Sequence, residues 1–307
     1  MKARVLQWGI CIIFGIFCLG FPSTTNADAR QDKLDTALFS AVKSSQYKSA
    51  QMLLRRGASA RAKKNAQGTT VLMLAATIGH VSMVRLLVAH GADAKARDNE
   101  GDTALVCAIF SANPATINFI LAQGVDINSK DAIGSTALMW ATDFCRLVPV
   151  QILLNHGADV NVKSREHWTA LIGAVAGMNR MPDASVIPVV RLLLDHKADV
   201  NAKADYGGTP LTLAASTMSR KNQASDRALI RLLLANGADV NIQDDTYGET
   251  ALIEASRSGD GLVVQALLDH GAKVDFRNVH GETALIAANK GKNYKVAAIL
   301  KLAGASR

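Results

Sequence analysis

The chain has 307 residues, 49% of them hydrophobic and 20% charged, with a formal net charge of +8. This composition excludes a disordered chain and allows a substantial buried core. Aromatics make up 5% and there are 6 prolines, so the apolar content is mostly Ala, Leu, Val and Ile, which suits closely packed helices.

The N-terminus differs from the rest. Lys2 and Arg4 precede an uncharged stretch from Val5 to Phe21, and then Pro22 and the polar run Ser23 to Asn26 lead to Ala27 and Ala29. A basic start, an apolar middle and an A-x-A-like exit are the parts of a secretory signal peptide. Residues 1–27 are therefore expected to be a signal peptide, with cleavage after Ala27 or after Ala29. The rival reading is an uncleaved anchor. The apolar stretch is short of the roughly 20 residues of a spanning helix, so no stable membrane anchor is expected after cleavage. Neither Cys11 nor Cys18 follows the small residue that a lipoprotein signal needs. Basic residues gather at both ends of the remaining chain, at Arg55, Arg56, Arg61, Lys63 and Lys64 and again at Lys290, Lys292, Lys295, Lys301 and Arg307. Such clusters are able to meet anionic surfaces, but solvated end caps are the plainer reading, and no nucleic-acid partner is expected.

Beyond residue 30 the sequence repeats itself. Alignment on Thr-x-Leu places threonines at 36, 70, 103, 136, 169, 209, 250 and 283, with the alanine of a Gly-Ala step or its equivalent 22 residues after six of them and 29 after Thr169 and Thr209. Copies begin near 34, 68, 101, 134, 167, 207, 248 and 281. In the copy at 68–98, Thr70 can cap a first helix. Leu72, Leu74, Ala75 and Ala76 supply its apolar positions, and Gly79 can close it in the left-handed conformation. Val81, Val84, Leu86, Leu87 and Val88 supply a second helix that Gly91 ends. The polar run from Asp93 to Gly101 is long enough for an extended hairpin to the next copy. Pro210, just after Thr209, stands where a missing amide costs nothing. A two-helix unit of this size cannot bury its own apolar face, so the copies must stack.

This pattern resembles the ankyrin repeat. The residues that carry the match are Gly68 to Leu72 and Gly281 to Leu285, Ala75 to His80, and the Gly-Ala-Asp-Val-Asn runs at 157–161 and 237–241. The resemblance covers about residues 32–307 and implies an all-α solenoid of about eight helix–turn–helix–hairpin units, a single domain over 28–307. One departure is consistent. The histidine that the family usually carries after Thr-Pro-Leu is replaced by Met73, Val106, Met139, Ile172, Thr212, Ile253 and Ile286. His167 stands where the hairpin glycine of the fifth copy should be, and the first and last copies are degenerate, as capping repeats are.

The repeat also governs the chemistry. His90, His156, His196 and His270 share one register position, so they lie a repeat or more apart, roughly 10 Å by helix-packing distances. A metal needs its ligands about 2.0–2.2 Å from one point, and no metal or cofactor is expected. Cys107 and Cys145 fall in adjacent copies at different offsets and are expected to be free thiols. Asp93, Asp159, Asp199 and Asp239 follow the Gly-Ala step as turn residues. No phosphate loop, nucleophile elbow, His-Glu-x-x-His or Cys-x-x-Cys is present, and a non-enzyme is the expectation.

The resemblance implies that hairpin tips and first helices line a concave face. The positions that would form it hold Phe110, Trp140, Asp143, Phe144, Trp168, Tyr206, Tyr247, Glu254 and Arg257, together with the tip residues Asn99, Glu100, Asp102, Arg165 and Glu249. Exposed aromatics among charges are the makings of a protein-binding hot spot; the competing reading is that Trp140 packs against its neighbour's helix. The fifth and sixth copies are lengthened around Met178–Pro188 and Ser216–Asp226, as functional loops or as drift in a tolerant connection. The expected function is a monomeric, non-catalytic protein-binding scaffold in the periplasm that regulates or protects an envelope enzyme. The alternatives are an immunity-type inhibitor using the two insertions, a thiol-dependent redox protein or enzyme, a protein delivered to a host cell, and a secreted or membrane-anchored location.

Overall fold

The structure, a computed structural model, describes residues 26–64, 66–177, 186–218 and 223–305. The expected signal peptide therefore lies outside the described residues except at its last two positions, and so do most of the first insertion, at 178–185, and four residues of the second, at 219–222.

The described chain folds into eight helix pairs. They are α1 (Asn26–Lys43) with α2 (Tyr47–Arg55), α3 (Val71–Ile78) with α4 (Val81–Ala89), α5 (Ala104–Ser111) with α6 (Pro114–Leu121), and α7 (Ala137–Asp143) with α8 (Leu147–Asn155). The second half comprises α9 (Ala170–Ala176) with α10 (Val186–Asp195), α11 (Pro210–Ser216) with α12 (Gln223–Ala235), α13 (Ala251–Ser258) with α14 (Gly261–Asp269), and α15 (Ala284–Lys290) with α16 (Tyr294–Leu302). Each odd-numbered helix packs on the next odd one and each even-numbered helix on the next even one, which makes a two-layer stack. The layers enclose one long core. Leu153, Leu193, Leu233 and Leu267 occupy matching places on the even helices, and all are fully buried. Burial of a leucine contributes about 1.5–3 kcal/mol, and here it is achieved only through neighbouring repeats.

The inner helices start as the threonine register predicts. The hydroxyls of Thr70, Thr103, Thr136, Thr169, Thr209, Thr250 and Thr283 each accept a bond from the amide three residues on. Thr36 is the exception: it lies inside α1, which begins ten residues earlier, so the first unit is a longer capping helix with no such start. The hairpins also depart from expectation. Only Lys63–Lys64 and Thr69–Thr70 form paired strands, with one further bridge between Arg97 and Thr103, among the described residues. Elsewhere the connection is a turn, because carboxylates and amides of the loop itself take up the backbone N–H groups. Part of the second insertion is visible as added helix, since α12 has 13 residues where α14 has 9. No described helix is long and apolar enough to cross a membrane.

Candidate functional site

The candidate surface is built by the hairpin tips and the inner helices below them. At four of the tips, one side chain holds the turn. Asp98 Oδ1 accepts the amides of Glu100 and Asp102, Asp131 Oδ1 those of Ile133 and Ser135, and Asn278 Oδ1 those of His280 and Glu282. Asp244 does the same with both oxygens, for Thr246, Tyr247 and Glu249. Consecutive tips are then tied together by backbone bonds. Asn99 N donates to Gln67 O at 2.8 Å, Ala132 N to Glu100 O at 2.7 Å, and Arg165 N to Ile133 O at 3.0 Å. The series continues with Asp205 N to Glu166 O at 3.2 Å, Asp245 N to Tyr206 O at 2.9 Å, and Val279 N to Tyr247 O at 2.8 Å. This close approach explains a glycine of the repeat. At Gly207, with φ of 77°, a Cβ would meet the Asp245 backbone nitrogen at 2.2 Å. His167 holds the same place in the fifth copy with φ of 54°, and its ring pairs with Asp205 on the next tip.

At the opposite end of each hairpin the asparagine of Gly-Ala-Asp-Val-Asn ties repeats together. Asn161 accepts from Asp199 N and donates to Lys197 O; Asn201 accepts from Asp239 N and donates to Gly237 O; Asn241 accepts from Lys273 N and donates to Gly271 O. The aspartates of the same motif serve local turns, as Asp159 does by accepting from Asn161 N. The missing family histidine is replaced in two copies only. Met73 Sδ and Thr212 Oγ1 each accept from the amide of the capping threonine. Val106, Ile172, Ile253 and Ile286 offer no acceptor at that position.

The structure divides the nine candidate residues into three groups. Phe110, Trp140 and Phe144 come together, with ring centroids 5.3–6.2 Å apart. Trp140 does not face solvent as expected: it is 7% exposed, and its Nε1 donates to Asp131 Oδ2 at 3.0 Å. Asp143 is likewise buried, and Phe110 and Phe144 are half-buried against the core. The physical reason is that Trp140 and Phe144 stack within one repeat while Phe110 of the preceding repeat meets them tilted and edge-on, so the three rings shield one another and remove more apolar area from water than they would apart. This trio is therefore chiefly packing. Asp131 was missed from the sequence, although a tip carboxylate nine residues before a tryptophan was there to be read.

The second group is at the tips. Trp168 meets Tyr206 edge to face at 6.4 Å. Trp168 is also more than a tip side chain, because it packs on a small cluster of Ile172, Ala202, Ala204 and Leu213. Tyr206 is 38% exposed and Tyr247 57%. Val279, on the following tip and more exposed still, was not singled out from the sequence, nor were Glu166 and Asp205, although these share the tip register; Asp245 lies one position outside it.

The third group is an ion-pair network. Arg257 reaches Glu249 at 2.8 Å, Glu254 at 2.9 Å and Glu282 at 3.3 Å, and Lys290 pairs with Glu282. Burial raises the Glu254 carboxyl above its usual range against the pull of Arg257, and Glu249 adds to the rise. Lys290 holds Glu282 below the usual range.

The histidines cap helix ends. The Nδ1 atoms of His90 and His270 donate to carbonyls one turn earlier, at 2.9 and 2.8 Å, and His156 bonds Asn118. Cys107 and Cys145 are both buried and are not joined in a disulfide, in agreement with the expectation of two thiols. Burial, with Asp102 nearby, pushes the Cys107 thiol far above its ordinary range. Two surface cavities of about 250 and 720 Å³ are lined by turn residues such as Val125 and Phe276 and include none of the candidate residues.

A comparison with curated proteins gives no match. The family model described as "Ankyrin repeats (3 copies)" matches over residues 38–131, 113–184, 150–224 and 218–306. Ankyrin repeats generally mediate protein–protein interaction. Together with the helix pairs, the capping threonines and the two-layer stack, these matches show that the chain belongs to the ankyrin-repeat family.

Proposed function

We propose that the chain is a non-catalytic protein-binding scaffold, exported to the periplasm, that regulates or protects an envelope enzyme through its concave face. The observation that carries the binding face is the run of aromatic side chains on consecutive tips: Trp168 against Tyr206, and then Tyr247. Large rigid side chains lose little conformational freedom on binding and bury much area, so they concentrate affinity. The location rests on the order of residues in 1–27. The rival in which Cys107 acts as a nucleophile is weakened by its environment, because a thiol held above its ordinary range forms little thiolate near neutral pH.

Affinity capture from an envelope extract, followed by calorimetry with the captured partner, tests the reading. Tyr206→Ala and Tyr247→Ala are expected to weaken binding about thirtyfold each. Arg55→Ala and Lys295→Ala should change mainly on-rate and salt dependence. Unchanged affinity in the double tyrosine variant would remove the tips from the site. N-terminal sequencing of the native protein should give Asp28 or Arg30; residues 1–27 intact in a membrane fraction would end the soluble periplasmic reading. Turnover of an envelope substrate by the partner-free protein would end the scaffold reading.

A further inference from the structure

The charge of the tips runs against the charge of the chain. The whole protein has 34 lysines and arginines against 26 carboxylates. On repeats 5 to 8 the balance reverses. Glu166, Asp205 and Asp245 stand on tips that are bonded backbone to backbone, and Glu249, Glu254 and Glu282 lie under them. The cations of the same loops and inner helices are Lys163, Arg165, Lys203, Arg257, Arg277 and Lys290, six against seven carboxylates once Asp244 is counted; Lys203, Arg257 and Lys290 have a carboxylate partner there, and His167 pairs with Asp205. Glu249 is 7% exposed, yet its Oε2 has no hydrogen-bond partner, while Arg257 and Asn278 share Oε1. The Glu254 carboxyl is raised chiefly by burial, against the pull of Arg257, with Glu249 adding to the rise.

Between these carboxylates stand Tyr206 and Tyr247, with Val279, 64% exposed, at the end of the row. Carboxylates beside aromatic faces are the chemistry that seats a guanidinium or ammonium group and its aliphatic stem. An acidic segment, an anionic lipid or a nucleic acid would meet like charge at this face, which is costly. Successive repeats are about 10 Å apart. A polyproline II segment advances about 3.1 Å per residue and about 9 Å per three-residue turn, so every third side chain reaches the next tip.

We propose that the tips of repeats 5 to 8 seat an extended, basic segment of the partner protein, with lysines or arginines between Glu166, Asp205, Asp245 and the two tyrosines. The proposal rests on the concave-face reading above and narrows it to one charge and one shape of partner.

The probe is a blocked dodecapeptide with arginine at every third position among prolines and leucines, compared with the same peptide carrying glutamate. Both are titrated calorimetrically into the full-length protein. The arginine peptide should bind saturably, one per chain, and weaken as salt is raised. Tyr247→Ala, and separately Glu166→Gln with Asp205→Asn, should each weaken it about tenfold or more, with melting temperatures retained. Asp269→Asn, on outer helix α14, should leave binding unchanged. Equal binding of the glutamate peptide, no saturable binding, or indifference to the tip variants would overturn the proposal. If the captured partner loses affinity in the tyrosine variants while the arginine peptide fails to bind, only the basic-segment proposal falls. If neither responds, the concave-face reading falls with it.

Discussion

Two tryptophans of adjacent repeats show how far a residue's role depends on what surrounds it. Trp140 and Trp168 look alike as candidates for a binding face. Trp140 is instead locked by Asp131, whose other oxygen holds two amides of the same turn. One carboxylate thus joins loop and inner helix, and its loss of a donor would be felt in stability. Trp140→Phe retains the ring stacking but leaves Asp131 Oδ2 buried without its donor. It is expected to cost about 1–3 kcal/mol in urea unfolding, while a cost near zero would show that the indole N–H is dispensable. Glu254 gives a second prediction at this scale. Its folded carboxyl titrates above the unfolded one, so ionising it opposes folding at neutral pH. That penalty is fully present above the raised folded value and fades as pH falls through it toward the unfolded value near 4.3. Glu254→Gln should therefore raise the melting temperature at pH about 7, and the gain should vanish below pH about 4. Thermal melts across pH check the sign.

At the scale of the element, the inner helices are too short to stand alone. Helices of this length are marginal in water, and the stack supplies what propensity does not. The capping threonines define where each begins, and the asparagine bridges define how one repeat sits on the next. Asn201 makes both of its bonds to the following repeat, to Asp239 N and Gly237 O. Asn201→Ala is expected to cost about 1 kcal/mol, without loss of helicity by circular dichroism. The cost should appear as weaker coupling between repeats 5 and 6, read as a broadened unfolding transition. A transition as sharp as that of the parent chain would mean that the bridge is incidental.

For the whole molecule, stability is a sum of units and nearest-neighbour interfaces. The order of contacts shows this directly, since every helix meets its own pair-mate and its counterparts in adjacent repeats. Removal of the last repeat, from Gly281 onward, breaks one interface. Removal of the fourth, residues 134–166, breaks two and forces a third and a fifth repeat to meet with surfaces that were never fitted. Deletion of the fourth is expected to lower the denaturation midpoint more than deletion of the last. Equal losses would contradict a linear stack. The asymmetry of charge belongs to this scale as well: basic ends and an acidic run of tips on repeats 5 to 8 are features of the assembled row and of no single unit.

Much of the fold was legible because it is periodic. A threonine, a Gly-Ala step and an asparagine in fixed register specify capped helices, turns and the stacking of copies whose apolar faces cannot be buried alone, and the order of residues sufficed for that. Thr36 misled because its motif persists where the helix does not stop. The site was legible only as a set of register positions. Register places Trp140, Phe144 and Phe110 on the inner surface, but whether a ring there faces solvent depends on the rings of the neighbouring repeat and on Asp131, and these meet only when the repeats stack. Likewise Glu282 is far along the chain from Glu249 and Glu254, and the three become one cluster through Arg257. Local sequence thus determined each unit, because capping and turn chemistry act over a few residues. The tertiary structure decided burial and shared charge, because both depend on contacts made across repeats.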